Sequence, residues 1–256
     1  MGLRIATNIA SQNVQKNLKE VSNAGNSSLE KLSSGKRITK ASDDAAGLAI
    51  STNLEAQTKG LRQATRNAND GISLVQTAEG GLNETTNILT RLRELTIQAS
   101  SDTVGEQERG FLDKEYQQLT KEIDRISEST VFNGTQLLNG EGKGSMDFQV
   151  GAFAGEQNRI TFDSGESDSS SSAIGVKGTS ISEKSDALSA IGDIDKAIEK
   201  VSGQRANLGS IQSRLQSTVK NLEVQTINQD SARSVIQDVD VAEATANLAS
   251  NQVVKN

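Results

Sequence analysis

The sequence predicts a mainly α fold: an elongated, antiparallel, coiled-coil-like helical rod interrupted by one short helix and a β-hairpin. Three observations predict it. The 256 residues contain no Pro, so the commonest helix breaker is absent. Aromatic residues make up only 2% of the chain, which argues against a thick globular core. Finally, two long stretches repeat their apolar residues every seven positions, the period of supercoiled helices.

The first long repeat runs from Ser42 to Ser100. Leu54, Leu61, Ala68, Val75, Leu82 and Leu89 lie seven apart, with a companion seam at Gln57, Ala64, Gly71, Ala78, Thr85 and Leu92, extended by Ile50 and Ala99. The companion seam is mostly small, so partner helices approach closely. As one helix this stretch is roughly 80–90 Å long at ~1.5 Å per residue. Ser42 is the expected N-cap, with Asp43 and Asp44 favouring the helix dipole in the first turn. The helix should break near Gly105, and Thr103-Val-Gly-Glu106 then opens a short helix as a capping box. Its stripe is Leu112, Tyr116, Leu119, Ile123 and Ile126, and Asn133-Gly134 and Asn139-Gly140 signal turns after it.

The hairpin follows. Residues 147–150 and 159–162 alternate polar and apolar side chains around a loop containing Gly151 and Gly155, placing Phe148, Val150, Ile160 and Phe162 on one face. Residues 163–184 are rich in Ser, Gly and Asp, including SDSSSS at 167–172, and read as a flexible surface loop. The heptads then return at Ala187, Ile194, Val201, Leu208, Leu215 and Leu222, helped by Ile191, Ile198 and Val219. Two heptad helices far apart in sequence should pack antiparallel. Leu54, Leu61, Val75, Leu82, Leu89, Ile194, Val201, Leu208, Leu215 and Leu222 are the expected rod core, and they are packing residues, not a site.

Residues 1–41 differ. Val14, Leu18, Val21, Leu29 and Leu32 form a narrow apolar stripe among Asn, Ser, Gln and Lys. Such a helix alone buries too little to offset ordering costs of ~1–2 kcal/mol per residue, so it is expected to be disordered until a partner covers it.

Composition excludes several function classes. With no His and no Cys there is no thiolate metal site, zinc finger, disulfide scaffold or His-based catalytic pair. A net charge of −6 argues against a nucleic-acid binder. No run approaches the ~18–20 apolar residues of a membrane span, and MGLRIATNIASQNVQ lacks the apolar centre of a cleaved signal. Asp43-Asp44 diverge on a helix and have no third ligand, and Gly35-Lys36-Arg37 lacks the rest of a phosphate loop, so neither makes a cofactor site. Asn26, Asn83 and Asn133 match the N-glycosylation pattern, which is common by chance. No cofactor, metal or catalytic residue is expected, and the chain reads as a non-enzyme.

Seven blocks in order carry a family resemblance: LEKLSSGKRITKASDDAAGLAIS (29–51), KGLRQATRNANDGISLVQTAEGGLNE (59–84), RLRELTIQAS (91–100), EIDRISESTVFNG (122–134), FQVGA (148–152), ANLGSIQSRLQSTVKNL (206–222) and ARSVIQDVDVAEAT (232–245). The chain resembles bacterial flagellins, the subunits of the flagellar filament. The resemblance implies an inner-tube helix region at 1–41, a helical rod core at 42–240 and the start of a C-terminal inner-tube helix at 241–256. The large outer domains of some flagellins are effectively missing, since only about twenty residues separate hairpin and returning helix. Family members continue for a few dozen residues past the AEAT block, so the chain is expected to be truncated and to lack the docking segment for an export chaperone.

The same resemblance implies a function and partners. The chain would leave the cell unfolded through the flagellar export apparatus and join an extracellular helical homopolymer that gives motility. Its terminal helices would fold as they meet neighbouring subunits, with Val14, Leu18, Val21, Leu29 and Leu32 as polymerisation contacts. A chain without Cys or Pro suits that route, having no thiols to oxidise and no slow prolyl isomerisation. The filament cap and hook-associated proteins are further implied partners. By position, Arg91, Leu95 and Glu115 match residues recognised by innate immune receptors resembling Toll-like receptor 5, although Thr90 and Leu119 depart from the family pattern there. The serines at 164–172, expected to be exposed in a solvated loop, match a region that carries O-glycans in some relatives. Two rivals are a hook–filament junction protein, disfavoured by the unbroken DDAAGLAIS and ANDGISLVQTAEG blocks, and a coiled-coil signalling rod, which would carry no FQVGA hairpin.

Overall fold

A computed structural model describes residues 8–141 and 144–255. These residues form six α-helices, α1 (Ile9–Ser34), α2 (Ala45–Ala99), α3 (Glu106–Ser129), α4 (Ser171–Ile174), α5 (Lys184–Gln237) and α6 (Val241–Lys255). Two antiparallel hairpins pair β1 (Val131–Phe132) with β2 (Thr135–Gln136) and β3 (Ser145–Gln149) with β4 (Arg159–Asp163). The chain divides into two compact units, one of residues 1–60 and 224–256 and the other of Leu61–Glu223.

In the Leu61–Glu223 unit, α2 and α5 run antiparallel. Arg93 Nε donates to Asp195 Oδ1 at 2.7 Å near one end, and Leu61 clusters with Leu222 at the other. Val75, Leu82, Leu89, Ile194, Val201, Leu208 and Leu215 are buried between the helices in one continuous core with Tyr116 and Ile123 of α3. Small residues on α2 admit the connecting segments: a β-carbon on Gly71, in the companion seam, would sit 3.2 Å from the Phe148 ring, and one on Gly81, beside Leu82, 2.6 Å from Leu138 Cδ1.

Helix α3 starts at Glu106 behind Gly105, whose extended backbone provides no side-chain cap, so the Thr103 capping box does not form. The junction is instead closed from α3. Arg109 donates from Nε to the Ala99 carbonyl (2.8 Å) and from Nη2 to the Ser101 carbonyl (3.1 Å), satisfying acceptors left open at the end of α2. Asn133 and Gly134 both take positive φ, the geometry of a two-residue hairpin turn between β1 and β2. In the second hairpin Phe148 opposes Ile160 and Met146 opposes Phe162, with Ile160, Phe162 and Val150 buried on the core face.

Residues 163–183 are not the flexible loop expected from their composition. Ser164, Ser167, Ser169 and Ser171 are buried, as are Ile174, Val176 and Ile181, because the carbonyls of Gly144 and Leu138 and polar side chains of α3 and α5 satisfy the segment's polar groups. No large outer domain intervenes between β4 and α5.

In the other unit, Asn8 caps α1 by accepting from the Ser11 amide, and Gly35 ends it in the left-handed region. The segment that follows is tied to the end of α5: Arg37 N donates to the Gln237 carbonyl (2.7 Å) and Val239 N to the Gly35 carbonyl (3.1 Å), over the buried Ile38. Asp43 Oδ2 accepts from the amides of Thr39 and Lys40 and from the Thr39 hydroxyl. Asp44 Oδ1 accepts from the Gly47 amide at 2.8 Å, so Asp44, not Ser42, caps α2. Leu54 is only half-buried. The neighbouring α2–α5 contact is polar, with Gln229 Nε2 donating to Gln57 Oε1, while Gln57 Nε2 donates within α2 to Asn53 Oδ1.

Helix α1 is ordered by pairing with α6, whose first turn is capped by Asp240. The partner that the sequence reading sought outside the molecule is therefore supplied in part from within it. The cover is thin, for no α1 side chain is fully buried and Ala244 alone is buried in α6.

Candidate interaction surfaces

The described residues include no group of three or more His, Cys, Asp or Glu placed to hold a metal ion, and no helix long and apolar enough to cross a membrane. What the structure offers for function is surface.

The first surface lies on the α1–α6 pair. Val14 (57% exposed), Leu18 and Leu29 face solvent, whereas Val21 and Leu32 are half-buried. Ile9 extends this exposed set on α1, and Val241, Val253 and Val254 add to it on α6. Val235, near the end of α5, is 83% exposed. Val241 and Leu248 lie seven apart, but Val253 and Val254 fall outside that period and were not read as part of an apolar stripe. Charge on α1 is sparse, with one exposed i,i+4 pair between Lys16 and Glu20.

A second surface lies on α2 and α3. Arg91 bridges the two helices, donating from Nε and Nη2 to Glu115 Oε1 at 3.1 and 2.9 Å, and from Nη1 to Glu94 Oε2 at 3.0 Å. The carboxylates of Glu115 and Glu94 hold the Arg91 guanidinium above its ordinary pKa. The side chains are about half exposed, so the network contributes little to stability and remains available to a partner. Leu95 does not belong to this surface. It is 1% exposed and packs in the core, because its position shares the apolar stripe of α2 with Leu92.

Sequence comparison places both surfaces in context. Residues 5–143 match the model of the bacterial flagellin N-terminal helical region, and residues 191–256 that of the C-terminal helical region. The chain belongs to the bacterial flagellins. It is 45% identical over 235 residues to a flagellin of Halalkalibacterium halodurans, covering 92% of this chain and 85% of the relative. It is 39% identical over 283 residues to a flagellin of Bacillus subtilis, covering 98% and 92%. Among solved structures, the crystal structure of Bacillus cereus flagellin aligns with a TM-score of 0.55 at 30% identity, covering 61% of this chain and 88% of that one. This flagellin is a structural subunit of the extracellular flagellar filament, a homopolymer, and not an enzyme. Its buried heptad residues build the core of the subunit.

Proposed function

We propose that this flagellin joins its filament through the α1–α6 unit. Val14, Leu18 and Leu29 make apolar contacts with neighbouring subunits, and Val21 and Leu32 complete the stripe as the helices tighten. The observation that carries this reading is a helix pair with a solvent-facing apolar row and no fully buried side chain on α1. Such a pair gains little by itself and gains more when a second copy covers it, which couples its final ordering to assembly. The subunit travels unfolded through the flagellar export apparatus, and meets the filament cap and hook-associated proteins at the ends of the polymer. The test is seeded polymerisation of a chain carrying Leu18→Ser and Leu29→Ser. Seed elongation should fall at least tenfold while circular dichroism stays helical, and unchanged elongation would remove these residues from the interface.

A second reading concerns the Arg91–Glu115 network. Its exposed charges suit recognition by an innate immune receptor resembling Toll-like receptor 5. Arg91→Ala should reduce signalling in a receptor reporter assay relative to the parent chain, and equal signalling would argue against it.

A further inference from the structure

We propose that residues 163–183 are a releasable strap, fastened across the helices of the Leu61–Glu223 unit by two aspartates of α3 and able to open while those helices stay folded. The observation is the way its backbone is satisfied. Beyond Asp163, the last residue of β4, and apart from the one-turn α4, the segment has no regular element. Its first residues are held by main-chain carbonyls, Ser164 by Gly144 and Ser169 by Leu138, and the rest largely by side chains projecting from α3 and α5.

Asp124 accepts from the Ser171 amide (2.8 Å) and hydroxyl (2.9 Å), and Asp113 accepts from the Ile181 amide (2.9 Å) and the Ser180 hydroxyl (3.0 Å). Between these two fastenings, Tyr116 Oη and Thr179 Oγ1 share a hydrogen bond at 2.6 Å. From α5, Gln204 Nε2 donates to the Asp168 carbonyl at 2.7 Å and Lys200 Nζ to the Ala173 carbonyl at 2.7 Å.

Hydrogen bonds from backbone amides to carboxylates are stronger than neutral ones, which explains how a Ser-rich segment stays docked. Its apolar anchorage is small. Ile174, Val176 and Ile181 are the large apolar side chains it contributes to the core, against the many heptad residues that hold α2 and α5. A segment held by a few anchors and side-chain fastenings opens at lower free energy than the helices beneath it. Opening uncovers Tyr116 and its apolar neighbours in α3, a surface that does not exist while the strap is closed.

Hydrogen exchange followed by mass spectrometry on the full monomeric chain tests this. In the parent chain the amides of 169–181 should exchange at least tenfold faster than those of Tyr116–Ile126, and in Asp113→Asn/Asp124→Asn a further tenfold faster, with α2 and α5 unchanged. Exchange of the strap in step with α3 in the parent chain would overturn the proposal. So would a variant whose strap exchanges as the parent's does, or one in which the whole unit accelerates equally. Should the double variant fail to fold, the parent measurement alone decides.

Discussion

Asp43 and Asp44 are adjacent, similar and differently employed. Asp44 caps α2 through the Gly47 amide, whereas Asp43 turns back to gather the amides of Thr39 and Lys40. Asp44→Ala should cost the first turn of α2 about 1 kcal/mol, read as roughly fivefold faster exchange of the Gly47 amide. The backbone hydrogen bonds from Thr39 and Lys40 hold the Asp43 carboxyl below its ordinary pKa. A depressed folded pKa means a contribution present above the ordinary aspartate range and lost as pH falls through the lowered value. Carboxyl NMR should therefore show Asp43 titrating below pH ~3.9, and a midpoint above that would contradict the bonding described.

Tyr116 works in the opposite direction. Burial raises the phenol's pKa, the Thr179 hydrogen bond lowers it, and the charges of Asp113 and Asp193 raise it further. Any stabilisation from the neutral phenol is thus complete below pH ~10 and lost as pH rises through the raised value. Because this is the only tyrosine and there is no tryptophan, absorbance at alkaline pH reports it alone. The midpoint should lie above 10, and a midpoint at the free-tyrosine value would show the ring to be open to solvent.

At the scale of elements, the heptads decided most of what was legible. A seven-residue period in leucine, valine and alanine reflects how two helices must bury a shared stripe, so α2 and α5 were readable from spacing alone. Leu82→Ala should destabilise the Leu61–Glu223 unit by about 2–5 kcal/mol in chemical denaturation, since the side chain is wholly enclosed. A loss near zero would mean that the seam repacks. The short elements were harder. Two residues per strand leave no alternation to detect, so only Asn133-Gly134 hinted at β1 and β2. The segment 163–183 misled for a physical reason: Ser171 and Ser180 are satisfied by Asp124 and Asp113, Ser164 and Ser169 by the carbonyls of Gly144 and Leu138, and the Asp168 carbonyl by Gln204, all of them distant in sequence. Leu95 misled similarly, since a family position gives no indication of which side of α2 faces inward. The cap of α3 was misplaced because Arg109 closes the junction by a contact that local sequence does not encode.

At the scale of the molecule, the two units differ in how they are held. One has a continuous apolar core, whereas the other relies on a polar α2–α5 contact, a tied loop and a thinly covered helix pair. On the proposed reading, assembly falls to the second unit, where Val14, Leu18 and Leu29 of α1 are exposed. The measurement that tests this most directly is electron microscopy of seeded polymerisation, comparing the parent chain with one carrying Val14→Ser, Leu18→Ser and Leu29→Ser. The account predicts that the parent extends the seeds and that the variant remains monomeric with its Leu61–Glu223 unit folded. A variant that extends seeds as fast as the parent would contradict the assignment of assembly to the α1–α6 surface.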